Sequence, residues 1–303
     1  MSSAAVPATR MSEADIRRQR RRQQNRQVAV RIVLLVLALA YALFPIIWIV
    51  SASLDPRNSL VNLGLIPQGA TLKNYETLLS SEIHPFTRWL WNSIKVSTIT
   101  MVLSVLVSTF AAYAFSRFRF RGRDATLLTV FLIQVFPNSL TIVATFLLIQ
   151  EIGNYIPSLG LNAHGGLILV YLGGALGINT WLMKGFFDSV PRDLDESAMI
   201  DGASNWRIFW QILFPLVRPI LAVVGILTFI STYNDYIIAL TLLKDAQQQT
   251  LAVGLNLFLG EQFSQQWGVF AAGALLGAIP VVVLYLVMQD YIVGGLTAGA
   301  VKG

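Results

Sequence analysis

The stretch Pro191-Arg192-Asp193-Leu194-Asp195-Glu196-Ser197-Ala198-Met199-Ile200-Asp201-Gly202-Ala203-Ser204-Asn205-Trp206-Arg207-Ile208-Phe209-Trp210 is polar and lies between two long apolar runs. Pro191 suits a first helical turn, where its missing N–H has no partner to lose, and Asp193, Asp195 and Glu196 follow at the positive end of that helix's dipole. A short helix over 191–201 is predicted. Gly202 can turn the chain at positive φ, and Ser204 can cap a second helix in which Ile208, Phe209, Ile212 and Leu213 share one face. The pattern is helix, turn, helix at a membrane surface.

The rest of the chain supplies the membrane. Of 303 residues, 55% are hydrophobic and 13% charged, and mean hydropathy is +0.62; soluble domains carry about 25% charged residues. Crossing about 30 Å of hydrocarbon takes roughly 20 apolar residues. Six segments qualify: 32–53, 91–115, 125–148, 165–187, 212–240 and 268–289. The fold class predicted is therefore an all-α integral membrane protein with six transmembrane helices, residues 32–290, between a basic tail (1–31) and a C-terminal tail (291–303). With the amino terminus inside, 17 of the Lys and Arg residues fall on cytoplasmic segments, against five outside: Arg57, Lys73, Arg88, Lys95 and Lys244. The positive-inside rule then places both termini, and the 191–210 loop, in the cytoplasm of a multi-pass cell-membrane protein.

Composition also limits the chemistry. Cysteine is absent, so no disulfide framework or thiolate site can form. No G-x-x-x-x-G-K-[ST] stretch or paired-histidine motif occurs, and His84 and His164 lie outside or at the rim of the spans. No catalytic residue, metal or cofactor is expected in this chain. An ion-coupled secondary transporter would want intramembrane acids or inverted repeats, and apart from Asp235 the spans are nearly free of both signals. The run containing Arg10, Arg17, Arg18, Arg20, Arg21, Arg22 and Arg26 precedes an apolar segment too long for a cleavable signal. It reads as a cytoplasmic anchor on anionic lipid of the bilayer, with a plain solvated tail as the other possibility and no nucleic acid expected.

Within the spans, Gly173 and Gly177, and again Gly273 and Gly277, sit four apart, which allows close helix approach either inside the bundle or against a second membrane subunit. Pro45, Pro137 and Pro280 predict kinks. Asn179 lies midway along the fourth span, and Tyr233, Asn234 and Asp235 cluster near the outer end of the fifth. These side chains could line a path for a neutral sugar, or Asp235 could simply sit in the outer headgroup zone. The last outside loop, 243–267, is rich in glutamine, including Gln247, Gln248, Gln249, Gln262, Gln265 and Gln266.

Glu196, Ala198, Gly202, Ile212 and Pro215 fall at the intervals of the EAA loop, and on them the chain resembles the permease subunits of binding-protein-dependent ABC importers. Ser197 and Phe214 depart from that pattern, where Ala and Leu are usual. Trp91-Asn92-Ser93-Ile94-Lys95-Val96, Gly160-Leu161-Asn162-Ala163-His164-Gly165-Gly166 and the ending Gly295 to Gly303 are similar to the MalG-type subunits of maltose/maltodextrin importers. The resemblance implies an ABC type I importer permease fold. It implies a complex with a MalF-type second permease, a homodimeric MalK-type ATPase and an extracytoplasmic sugar-binding protein. It implies further that Glu196, Ser197, Ala198, Asp201, Gly202, Ile212 and Pro215 couple to the ATPase, and that the tail with Thr297, Ala298, Gly299 and Lys302 enters the ATPase dimer. The last outside loop would probe the binding protein's sugar site.

Overall fold

The computed structural model describes residues 13–57, 64, 66, 67, 69–135, 137–260 and 266–300. Every regular element among them is helical: α1 (Glu13–Leu54), α2 (Lys73–Ser80), α3 (Phe86–Arg117), α4 (Arg123–Val135), α5 (Ile142–Tyr155), α6 (His164–Ser189), α7 (Asp193–Ile200), α8 (Asn205–Ile208), α9 (Phe214–Tyr233), α10 (Ile237–Leu242), α11 (Leu251–Gly260) and α12 (Trp267–Ala300). Five stretches are long and apolar enough to cross a membrane: Gln23–Leu54, α3, α6, Asn205–Tyr233 and Trp267–Tyr291.

The sixth crossing departs from expectation. Where one span was predicted over 125–148, the chain forms α4 and α5, of 13 and 14 residues, joined through a 3₁₀ turn at Asn138–Thr141. Pro137 causes the break: it sits in an extended conformation (φ −62°, ψ 119°) and has no N–H to continue the ladder. At 1.5 Å per residue each piece is about 20 Å long, so the two must act in tandem to cross. The fifth span also ends early. It stops at Tyr233 rather than continuing to 240, because the Asp235 carboxylate accepts the Ile238 and Ala239 N–H groups and starts α10 instead.

α3 is the central post. Ser93, Ser97, Thr100, Ser104, Ser108, Ala112 and Ser116 recur every three or four residues along it, and all are buried. In lipid, helices gain little from hydrophobic expulsion, so small side chains that let backbones approach supply the contact. α6 and α9 pack on this seam. Asn179 of α6 ties the three helices together, its amide donating to Ser104 Oγ at 2.9 Å and Thr228 Oγ1 at 3.0 Å. The glycine pair of α12 packs within the chain: a Cβ at Gly273 would strike Leu255, and one at Gly277 would strike Leu251. Gly177 approaches the Gln134 side chain in the same way, whereas Gly173 meets nothing within 4 Å.

α12 runs unbroken through Thr297, Ala298 and Gly299, so the backbone expected as a tail from 291 continues as helix; Lys302 lies outside the described residues. α1 likewise carries the basic segment from Glu13 onward as one helix, with Arg10 outside the described residues.

Candidate functional site

The 191–210 segment folds as its turn chemistry dictates. α7 ends in a Schellman motif: Ala203 N–H donates to Ala198 O at 2.9 Å and Gly202 N–H to Met199 O at 3.0 Å. Such a closure needs a left-handed residue, and Gly202 sits at φ +81°. Ser204 then caps α8, its side chain accepting the Arg207 N–H. Beyond α8 the helix widens into a π turn over Phe209–Leu213, with Phe214 N–H reaching back five residues to Phe209 O. Pro215 follows at once, outward-facing, and Pro219 one turn later. Neither proline offers an N–H, so the start of α9 is bonded more sparsely than the rest of that helix.

The loop divides into two faces. Asp195 and Ala198, three apart, point into the body, while Glu196, Ser197, Asp201 and Gly202 are exposed. Met199, Ile200 and Trp206 are also exposed, at 52%, 87% and 64%, which leaves apolar side chains standing out from a polar turn.

The inward face is fastened to the end of α3. Arg117 Nε lies 2.6 Å from Asp195 Oδ2, with the two side chains only 7% and 9% exposed. The same guanidinium donates to Val190 O at 3.0 Å, and Arg192 reciprocates with a bond to Ser116 O at 2.9 Å. Burial pushes the Asp195 carboxyl above its ordinary value, with Arg117 and Arg192 pulling the other way. Tyr113 donates to Asn205 O at 3.2 Å. An aromatic stack completes the joint: Trp206 lies flat on Phe110 (centroids 6.1 Å, 9°), Phe209 contacts the same ring at 5.3 Å, and Trp210 meets Phe209 edge-on at 5.0 Å. Any displacement of the loop must therefore be transmitted to α3.

The sequence places Asp195 at the helix dipole and does not pair it with Arg117. The spacing of Asp195 from Ala198 places the acid on the buried face of α7 but does not name its partner.

The four residues considered for a sugar path do not converge on one surface. Asn179 is spent on Ser104 and Thr228, and Tyr233, 4% exposed, donates to Gly277 O at 2.8 Å. Asp235 accepts from the Tyr171 hydroxyl at 2.8 Å besides capping α10, which leaves Asn234 alone as an exposed group.

At the opposite end of the bundle a strap, 244–251, is pinned by its backbone. Trp89 Nε1 donates to Ala246 O, Asn92 Nδ2 to Gln247 O and Gln249 O, and Ser93 Oγ accepts from Leu251 N–H. Asn162, itself at φ 57°, accepts the Lys244 and Asp245 N–H groups, and His164 Nε2 bonds Gln248 O at 2.8 Å. The motifs at 91–96 and 160–166 thus hold this strap in place. Gln262 and Gln265 lie outside the described residues.

Comparison with known proteins places this arrangement. The family model described as binding-protein-dependent transport system inner membrane component matches residues 104–297. The chain is 42% identical over 276 residues to a maltose/maltodextrin transport system permease protein MalG of Vibrio vulnificus, covering 88% of this chain and 92% of that protein. It is 43% identical over 261 residues to the galactooligosaccharides transport system permease protein GanQ of Bacillus subtilis (86% and 90%), and 40% identical over 281 residues to MalG of Escherichia coli K12 (89% and 94%). Among solved structures, a bacterial ABC transporter involved in the import of the acidic polysaccharide alginate superposes with TM-score 0.73 at 26% identity, over 94% of this chain and 99% of the other. A second alginate ABC transporter structure, in complex with an alginate pentasaccharide-bound periplasmic protein, gives TM-score 0.65 at 17% identity over 89% and 95%, a likeness of fold.

Proposed function

This chain belongs to the binding-protein-dependent transport system inner membrane components and is a permease subunit of an ABC sugar importer; from that premise we propose that it passes a neutral oligosaccharide, maltose/maltodextrin or a related glucoside, into the cell. It does so beside a MalF-type permease, over a homodimeric MalK-type ATPase that binds the ATP and Mg, and beneath an extracytoplasmic sugar-binding protein. Both termini and the Gly202 loop face the cytoplasm, consistent with the lysine and arginine distribution.

The observation that carries this reading is the two-faced loop. Its outward side offers Met199, Ile200 and Trp206 to a cleft, and its inward side is locked to α3 by the Arg117–Asp195 pair. Closure of the ATPase dimer on ATP drags the loop, and α3 carries that displacement into the spans, which rock to open the path outward. Glu196, Ser197, Ala198, Asp201 and Gly202 form the coupling turn, and Ile212 in the π turn and Pro215 at the sparsely bonded start of α9 let it pivot. The continuation of α12 from Tyr291 to Ala300 adds about 14 Å at 1.5 Å per residue, and on this reading it carries Thr297, Ala298 and Gly299 toward the ATPase.

The test is reconstitution with the partner permease, ATPase and binding protein in liposomes. Uptake of labelled maltose should need ATP and the binding protein and survive collapse of ion gradients. Uptake by this chain alone, or driven by a gradient, would refute it. The likeness to the galactooligosaccharide permease supports a second substrate reading; titrating the purified binding protein with maltose and with a galactooligosaccharide separates the two.

A further inference from the structure

The turn between α3 and α4 reads Arg117-Phe118-Arg119-Phe120-Arg121-Gly122-Arg123, four arginines alternating with aromatics and a glycine. The structure treats those arginines in two ways. Arg117 is consumed by Asp195 and Val190, and Arg123 is drawn inward, its Nε donating to Phe115 O at 2.7 Å. Arg119 and Arg121 are exposed and make no ion pair or hydrogen bond among the described residues. Phe118 and Phe120 fold back on the last turns of α3, against Tyr113 at 5.4 Å and Phe115 at 5.6 Å, yet remain 40% and 45% exposed. Gly122, at φ +84°, then turns the chain into α4. Below it opens a concavity of about 600 Å³ lined by Arg119, Phe120, Gly122, Arg123, Asp124 and Ala125. The Asp124 side chain is 94% exposed and 4.0 Å from Arg123, so it neutralises neither free arginine.

We propose that Arg119, which lines this concavity, and Arg121, exposed on the same turn between the lining residues Phe120 and Gly122, hold the headgroup phosphate of an anionic phospholipid of the cytoplasmic leaflet. The position argues for lipid over a soluble anion. The turn joins the ends of two crossings, and its half-exposed rings mark the boundary where acyl chains give way to headgroups. Guanidinium groups without a protein counter-charge, beside such rings, match the negative charge of a headgroup phosphate. The proposal rests on the cytoplasmic placement of this turn but not on the identity of the sugar, so a failed maltose assay leaves it standing.

The experiment uses the assembled importer in nanodiscs of phosphatidylcholine with a minor share of phosphatidylglycerol, reading retained lipid by native mass spectrometry. Wild type should retain phosphatidylglycerol selectively. Each of R119Q and R121Q should lower retention roughly 5-fold and the pair roughly 30-fold, as expected for about 1 kcal/mol per basic group at an anionic surface. R119K/R121K, which keeps the charge, should retain most of the lipid, and all variants should still co-purify with the partner subunits. Unchanged retention in the double glutamine variant would overturn the proposal. So would loss in the double lysine variant equal to that in the glutamine one, displacement of the lipid by millimolar inorganic phosphate, or protection of the two arginines from chemical modification only when the ATPase is bound.

Discussion

Replacing Arg117 with alanine should release the Gly202 loop from α3 while leaving the spans packed. The side chain is 7% exposed and faces an Asp195 carboxylate that is 9% exposed, so truncation strands a charge where water does not reach. Breaking such a pair from one side costs about 3–5 kcal/mol. The figure belongs at the low end here, because burial already raises the Asp195 pKa and the stranded acid can take up a proton. About 3 kcal/mol corresponds to a roughly 150-fold shift from the clamped toward the released loop. Hydrogen exchange across 193–208 in the assembled importer should rise by about that factor, and ATP hydrolysis should continue with reduced sugar uptake. The double variant R117A/D195A should lose much less than the sum of the single changes, since neither partner is then left alone. Additive losses, or exchange in R117A indistinguishable from wild type, would refute the clamp.

Gly202→Val should impose about 1–2 kcal/mol or more of strain at φ +81°, disrupting α7 closure and cutting uptake or assembly; co-purification with the ATPase separates the two. Gly254→Ala should lower the melting temperature of the complex, because its Cβ would collide with the fully buried Trp89 ring, whereas Gly185→Ala, with open space around it, should not. Asp55, 1% exposed, is held below the ordinary carboxylate range chiefly by hydrogen bonding from the Arg57 guanidinium. A depressed folded-state value means that its contribution is complete above the unfolded carboxylate pKa and is lost as pH falls through the lowered one. Protection of the Thr71 amide relative to its intrinsic exchange rate, which its bond to Leu54 O at 2.9 Å beside this corner supplies, should therefore fall only in acid.

The parts legible in the sequence were those written in local chemistry. Gly202 and Ser204 announced a turn and a cap because only certain residues take those backbone roles, and the apolar runs announced crossings because length against bilayer thickness is a one-dimensional quantity. Hydropathy could not show where Pro137 divides a crossing, because it sums transfer preference without regard to the backbone ladder. It could not show that Asp235 caps α10 either, since a carboxylate at the end of a span looks the same whether it meets solvent or two amides. Pairings such as Arg117 with Asp195, or Asn92 with Gln247 and Gln249, join residues far apart in the chain and leave no period to find. The glutamine content of the last loop likewise gives no sign that its first part is held in place through its carbonyls.

That last arrangement separates shape from identity. Since Trp89, Asn92, Asn162 and His164 grip main-chain atoms, the path of the strap is encoded by neighbours rather than by its own residues. Positions 246 and 248 can therefore exchange one amino acid for another with the trace unchanged. A chain built this way can change the side chains that the strap presents by drift at a few letters, without rebuilding the frame that presents them.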